Sequence, residues 1–458
     1  MKELYDFIKT MVRENIISNY KIDYRVTFMI MMVKSMTNVS IKEATEKVLC
    51  QYVTDTSVNY KYFTSIYHGI IDRLFTSYDI NNKLYSLLNS TFYTNQENIY
   101  AVDGSKLIVN SNMKTELLSP SSYQVGLCSL FTSFNITSKS INVQKMYKND
   151  IGEREMFKEN ISSFPRNSIV IMDRGYWKKE FVKMFADHSL KFIMRLPIHD
   201  KTSFFPSKLT SSKKVNFKGV ACRVIQKQMS VSQWNANYNI PEFNNLSDEV
   251  KRKYTEMREQ LEFRINTYVN SVYILITNID ELEKSNDEIF NLYHRRWEIE
   301  TLFDAEKNKM SLQINREQTT QSLIDKINFH TFSWNICSYV RAFIENHNNI
   351  DLSKDYTVNI GILATKTLYI VDKIFQLSSF SDIKMYIKLL CARMKSNAVK
   401  KKRNRHVPRI RKRMPSRFLR SNVAYEESHA HENSEKMINK LILRFQNDMN
   451  EIVRMEIT

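Results

Sequence analysis

Three carboxylates in this chain of 458 residues stand where a hard cation could be held. The run Ile99-Tyr100-Ala101-Val102 leads into Asp103-Gly104-Ser105, and Ile169-Val170-Ile171-Met172 leads into Asp173-Arg174-Gly175-Tyr176. Each reads as a short apolar strand ending in an aspartate and a turn glycine. At the carboxyl end of a packed parallel strand, a side chain is held ready for a ligand. Two aspartates so placed on neighbouring strands repel each other unless a cation lies between them. Oxygen donors with no cysteine or histidine beside them suit Mg²⁺ or Mn²⁺. Taken singly, either aspartate before a glycine reads better as a simple turn. Two of them in a chain with only seven glycines carry more weight.

The third carboxylate is Glu300, in Tyr293-His294-Arg295-Arg296-Trp297-Glu298-Ile299-Glu300, followed by Thr301-Leu302-Phe303-Asp304-Ala305-Glu306-Lys307. At about 100° per residue on one continuous helix, Tyr293, Arg296, Glu300 and Lys307 share a stripe roughly 60° wide. Leu292, Ile299, Phe303 and Met310 form an apolar stripe beside it. Such a helix anchors one face in the core and turns Glu300 toward a metal. Arg296 offers a fork and Lys307 a point charge for phosphate. The plainer alternative is an ordinary helix with an Arg296–Glu300 ion pair, worth ~0.3–0.5 kcal/mol.

The surrounding sequence supplies elements to position these groups. Residues 1–95 carry apolar residues at helical spacing. Ser40 and Glu43 form a capping-box pattern for a helix over Ile41–Leu49, and a second helical run covers Val58–Phe75. The pair reads as a helix-turn-helix DNA reader or as plain helical packing. Residues 96–197 alternate short apolar strands and helices: strands at Ile99–Val102, Leu107–Val109, Val125–Phe134, Ile169–Met172 and Lys191–Met194, and a helix at Lys178–Asp187. That pattern predicts an α/β sheet covered on both faces. Residues 198–280 change character, with candidate strands Val220–Ile225, Phe263–Tyr268 and Val272–Thr277 and a helix Asp248–Glu262. Residues 281–392 return to helix. The segment 393–458 combines a basic stretch with an amphipathic helix over Glu426–Met455, a candidate interface or an ordinary packed helix.

Composition narrows the class of function. Lys and Arg number 67 against 49 Asp and Glu, a net charge of +18. Eleven basic residues and no acid lie between Lys400 and Arg420, and Pro408 and Pro415 interrupt any helix there. A second acid-free stretch with seven basic residues runs from Lys201 to Lys227. Two such stretches point to nucleic acid, with Lys401, Arg403 and Arg411 as candidate contacts, against the alternative of a solvated lysine-rich surface. Five cysteines with no C-x-x-C pair speak against a zinc ribbon or a disulfide framework. His429 and His431 lack partner ligands for zinc. The apolar run Phe28–Val33 is far short of the ~20 residues of a membrane helix, and the N-terminus is not a secretory signal. The chain is expected to be cytoplasmic and nucleoid-associated, or nuclear in a eukaryotic host.

The spacing Tyr293-x2-Arg296-x3-Glu300-x6-Lys307 resembles the Y-R-E-K signature of DDE transposases of bacterial insertion sequences, specifically the IS-four (insertion sequence four) family. Asp103-Gly104-Ser105 resembles that family's D-G-[ST] motif and Asp173-Arg174-Gly175-Tyr176 its D-R-G-[YF] motif. The likeness spans roughly residues 96 to 340. It implies an RNase H-like core in two parts, 96–197 and 281–392, interrupted by a β-rich insertion at 198–280. It implies that Asp103, Asp173 and Glu300 are catalytic and hold two Mg²⁺ ions, with Mn²⁺ as a substitute. The chemistry is then two-metal phosphoryl transfer, cutting at the element ends and joining them to target DNA. Tyr293, Arg296, Lys307 and Arg174 would contact the DNA backbone, and His294 takes a surface or DNA-contact role because this chemistry needs no histidine base. Trp234, in the insertion, is a candidate wedge for a flipped base or a buried core residue. Trp297 and Trp334 read as core residues, and Trp177 as packing where a strand becomes a helix. The implied partners are terminal inverted repeats, target DNA and a second copy of the chain, with no membrane and no small-molecule substrate. The alternatives are an RNase H-like nuclease without strand transfer and a non-catalytic, domesticated DNA-binding protein.

Overall fold

The structure is a computed structural model. It describes residues 1–15, 24–37, 39–52, 72–77, 79–109, 126–196, 212–228, 272–310 and 319–347, with isolated positions elsewhere. Three helices open the chain: α1 (Lys2–Asn15), α2 (Tyr24–Thr37) and α3 (Ile41–Tyr52). The Ser40 hydroxyl accepts the Glu43 N–H at 3.1 Å, as its capping pattern predicts. Helix α4 (Ile80–Phe92) then leads into the sheet. Of the Val58–Phe75 run, only Ile70 and Asp72–Phe75 are described; Asp248–Glu262 apart from Asp248 and Arg252, all of Phe263–Tyr268, and Glu426–Met455 lie outside the described residues.

Strands β1 (Ile99–Val109), β2 (Gly126–Asn135) and β3 (Ser140–Lys148) form an antiparallel meander. Strand β4 (Ile169–Met172) runs parallel to β1, and β5 (Lys191–Arg195) parallel to β4. The order β3-β2-β1-β4-β5, with β2 antiparallel inside the series, is the RNase H-like arrangement. Strands β6 (Ser212–Phe217), β7 (Val220–Gln228) and β8 (Val272–Thr277) follow later in the chain. The chain divides into two compact units. The larger holds Met1–Met194, Asn216–Cys222 and Thr277–Lys401, and with them Asp103, Asp173, Tyr293, Arg296, Glu300 and Lys307.

All four residues of β4 are buried, as a strand covered on both faces requires. Helices α5 (Glu153–Asn160) and α6 (Lys179–Asp187) bring Phe157, Phe181 and Phe185 together, and Phe185 meets Phe192 of β5 with ring centres 5.1 Å apart. Helix α9 (Thr320–His347) packs against β3, α2 and α4. Its Asn335 side chain accepts the Ile141 N–H at 2.8 Å and donates to the Ile141 carbonyl at 3.0 Å. An amide thus satisfies the backbone where edge strand β3 lacks a neighbour. Trp334, on the same helix, is 3% exposed and donates its indole N–H to the Lys139 carbonyl, so its reading as core holds. Among the described residues, no helix is long and apolar enough to cross a membrane.

The structure departs from sequence expectation in three places. β1 is a single eleven-residue strand, not two short ones, so no turn follows Asp103. β3 and α5 lack strong apolar periodicity and are not foreseen. The signature helix is broken: α7 (Asn286–His294) ends before Arg295-Arg296, α8 (Trp297–Asp304) follows, and Ala305–Lys309 widens into a π-helical turn.

Helix α9 also carries a measurable electrostatic feature. His330 is fully buried, and burial together with the charge of Lys326 pushes its pKa down to about 3. The folded state keeps the ring neutral while an unfolded chain protonates it near pH 6.5. Its stabilising contribution is complete above pH 6.5 and is lost as the pH falls toward 3. His330→Met is therefore expected to abolish about 2 kcal/mol of the wild type's stability loss between pH 7.5 and pH 5. Urea denaturation of both proteins at the two pH values measures the difference; parallel losses would refute it.

Candidate active site

Asp103 and Asp173 come to the same end of the sheet because β1 and β4 are parallel. Their last paired residues are Ala101 and Ile171, and each aspartate lies two residues further on. Met172 ends β4, and Asp173 caps a short turn over Arg174–Tyr176, its carboxylate accepting the Gly175 N–H at 2.8 Å. Here the Asp-Gly reading as a turn is right. At Asp103 it is not: Gly104 lies within β1, paired with Phe131, and its N–H donates to Asp103 Oδ1 at 2.9 Å. The glycine serves close approach. A Cβ at this position would lie 2.6 Å from Glu153 Oε1.

Across from the aspartates, Arg296 reaches from the start of α8. One guanidinium nitrogen donates to Asp103 Oδ2 at 3.2 Å and the other to Glu300 Oε1 at 2.9 Å. The plain Arg296–Glu300 pair is therefore present, but its fork also takes in Asp103. Arg296, Asp103 and Glu300 side chains are only 12%, 19% and 23% exposed. Lys307 donates to Ser105 Oγ at 2.5 Å and to the Lys106 carbonyl at 2.8 Å. The π-helical turn shifts Lys307 off the single stripe expected of a continuous helix, and it ends on the outer half of β1. Tyr293 is 4% exposed, its ring a core residue at the end of α7, with an electrostatic coupling to Arg296.

Trp297 corrects its sequence reading. It is 46% exposed, not buried, with the Arg296 guanidinium 5.7 Å from its ring centre. The helix break puts Trp297 at the first position of α8, where a side chain points past the helix end into solvent. Arg174 is exposed on the turn after Asp173, and His294 is exposed on α7. Trp177 is buried, edge-on to Phe217 at 5.8 Å, as its packing role requires. Trp234, Lys401, Arg403 and Arg411 lie outside the described residues.

Burial raises the Asp103 pKa to about 7; Glu153 and Asp173 add to the rise and Arg296 opposes it. Glu153 is raised by burial and by Asp173. Glu153 was not legible as a site residue. Its only sequence signal is position, an acid opening a helix after Gly152. Among the described residues, no three carboxylate, imidazole or thiol groups converge closely enough to enclose a metal ion. The Arg296 guanidinium bridges Asp103 and Glu300 instead. The donors themselves fit a hard divalent cation, since they are oxygens, partly buried and mutually repelling.

Comparison with known proteins bears on this geometry. Residues 123–336 match the family model described as a transposase DDE domain. The matched stretch contains Asp173, Glu300 and Lys307, and Asp103 lies upstream of it. No curated protein matches the chain. Among solved structures, a piggyBac transposase synaptic complex with hairpin DNA aligns over 92% of this chain and 90% of that one. It shares 9% identity at a TM-score of 0.39, a likeness too slight to assign anything further.

Proposed function

We propose that this chain is a DDE transposase of the IS-four type, cutting DNA at the ends of an insertion sequence and joining those ends to target DNA. One observation carries the reading. Asp103 and Asp173 end level on parallel strands, and Arg296 ties Asp103 to Glu300, inside a chain whose central stretch matches a transposase DDE domain. Asp103, Asp173 and Glu300 would hold Mg²⁺, or Mn²⁺ in its place. Two such ions, when bound, activate the attacking oxygen and stabilise the leaving one.

The remaining work falls to this chain's own side chains. Arg296 keeps two of the carboxylates oriented and would offer its fork to a phosphate. Lys307, held over β1 by Ser105, supplies a fixed positive charge beside the scissile phosphate. Tyr293 anchors the end of α7 and so the aim of Arg296. The half-exposed Trp297 ring offers a stacking surface for a base next to the cut. Arg174 is free to reach the backbone on the far side of Asp173. The basic stretch around Lys401, Arg403 and Arg411 would bind DNA without reading its sequence. Two element ends must be held together, which calls for a homodimer on paired terminal repeats.

A plasmid carrying the flanking element ends tests the proposal. The wild type is expected to excise and join in Mg²⁺ and to do neither in EDTA. Asp103→Ala, Asp173→Ala and Glu300→Ala are each expected to lose both steps. Cleavage without joining would assign a nuclease instead, and binding without cleavage under any divalent metal would leave a DNA-binding relic.

A further inference from the structure

We propose that Glu306 is a positioning residue: anchored to the sheet through Gln144, it fixes the π-helical turn that delivers Lys307 to β1. The inference rests on the reading above, in which Lys307 meets the scissile phosphate. Glu306 is an acid with no exposed surface. Burying a carboxylate is costly unless it is paired and hydrogen-bonded. The Gln144 side-chain amide donates to both Glu306 oxygens at 3.0 Å, and the neighbouring Lys307 supplies the opposing charge. Gln144 is itself held on two sides. Its carbonyl oxygen accepts the Thr331 hydroxyl of α9 at 2.9 Å, and its amide also reaches Thr132 Oγ1 on β2 at 3.3 Å. Thr132 pairs opposite Asp103 of β1 on one side and Gln144 of β3 on the other. Residues opposite one another across neighbouring strands share a face of the sheet. Asp103, Thr132 and Gln144 therefore form one row, and Glu306 docks at the far end of the row that Asp103 begins.

The turn itself calls for such an anchor. A π-helical turn is rare, and it occurs most often at functional sites. Here the Met310 N–H closes on the Ala305 carbonyl at 3.1 Å and the Leu312 N–H on the Glu306 carbonyl at 3.0 Å. With the Glu306 side chain fixed inward, the next residue reaches the outer half of β1, where Lys307 donates to Ser105 Oγ and to the Lys106 carbonyl. The Glu306 carboxylate also favours the ammonium form of Lys307, against the burial that disfavours it. Glu306 thus acts on Lys307 twice, on its place and on its charge.

Two readouts on the full chain test this. The first needs no reaction: pulsed acetylation of lysine amines, followed at Lys307 by mass spectrometry, in the wild type, Glu306→Gln and Gln144→Met. Lys307 is expected to react about threefold faster or more in both variants, because its amine is released and more of it is neutral. The second is single-turnover cleavage of a duplex carrying an element end, at saturating DNA, with the DNA Kd measured alongside. Glu306→Gln is expected to slow cleavage about tenfold or more with Kd unchanged, and to slow Lys307→Ala no further. An acid that only stabilises the fold would slow both backgrounds alike. Equal slowing in both backgrounds, or wild-type reactivity of Lys307 in Glu306→Gln, would overturn the proposal. If Glu306→Gln fails to fold, Gln144→Met, which keeps the acid and removes its grip, decides in its place. A Lys307→Ala variant that cleaves like the wild type would overturn the reading of Lys307 at the phosphate, whatever the acetylation shows, and with it any part of Glu306 in cleavage.

Discussion

Asp103→Asn is expected to abolish DNA cleavage, by at least roughly 10³-fold, while making the metal-free protein more stable. Under the proposed function the first effect follows from removing a carboxylate that would hold the metal at the reacting phosphate, and such a rate loss corresponds to about 4 kcal/mol. The second follows from the Asp103 environment. Burial, Glu153 and Asp173 together raise its pKa to about 7, from an ordinary value near 3.8. An acid whose folded pKa is raised binds its proton more tightly when folded. It favours folding at low pH, and that advantage is lost as the pH rises from about 4 through 7. Above pH 7 the ionised carboxylate opposes folding, by a few kcal/mol as an order of magnitude. An asparagine carries no such charge. Thermal unfolding at pH 8 in EDTA checks this: the variant's Tm rises above the wild type's, and the gap narrows at pH 5. A variant that unfolds earlier than wild type at pH 8 would mean that the Arg296 ion pair outweighs burial.

The legible part of this molecule was the part written in local apolar runs. Ile169–Met172 and Lys191–Met194 announce buried strands because both faces are covered and nothing polar interrupts them. The aspartate that follows Met172 then falls at a strand end. Locally, Asp103-Gly104-Ser105-Lys106 looks like a turn that would divide strand β1 in two. What carries the strand through is pairing with β2, from Tyr100 opposite Asn135 to Val109 opposite Gly126, which no local pattern encodes. β3, with Asn142, Gln144 and Lys145 exposed or half-exposed, has too weak an alternation to declare itself. Helix α5 is short, and its acid became meaningful only when the fold set it against Gly104.

The signature residues were found by spacing, and their spacing implied one straight helix. The chain instead hydrogen-bonds the Arg295 and Arg296 N–H groups back to Leu292 and Tyr293, ends α7 and restarts as α8. The reset leaves Arg296 and Glu300 facing together, since they are four residues apart across helical dihedrals. It brings Trp297 to the surface, and the later π-helical turn moves Lys307. Helical wheels survive a break between near neighbours and fail across it at longer range.

Arg296→Ala should act on stability in the opposite sense to Asp103→Asn, although both remove one member of the same ion pair. Arg296 is the cation shared by Asp103 and Glu300 at 3.2 and 2.9 Å, and its side chain is 12% exposed. Taking away this shared positive partner leaves two partly buried carboxylates without the guanidinium that joins them. Breaking a buried pair in this way costs about 3–5 kcal/mol, with partial exposure of the acids pulling the figure to the lower end. In EDTA the variant is therefore expected to melt well below wild type. In millimolar Mg²⁺ the deficit should shrink, because a divalent cation replaces the missing charge and binds only the folded chain. Arg296→Lys is expected to restore part of the stability in EDTA but not all of it, since an ammonium cannot fork across two carboxylates in fixed geometry. Cleavage should still fall roughly 10²-fold or more in both variants if, as proposed, the guanidinium also holds the phosphate. A Tm deficit that is the same in EDTA and in Mg²⁺ would mean that no cation ever takes the position Arg296 holds. Asp103 and Glu300 would then be ion-pair partners rather than ligands. The comparison of two salts in one melting experiment therefore separates an arginine that stands in for the metal from one that simply holds a helix to a strand.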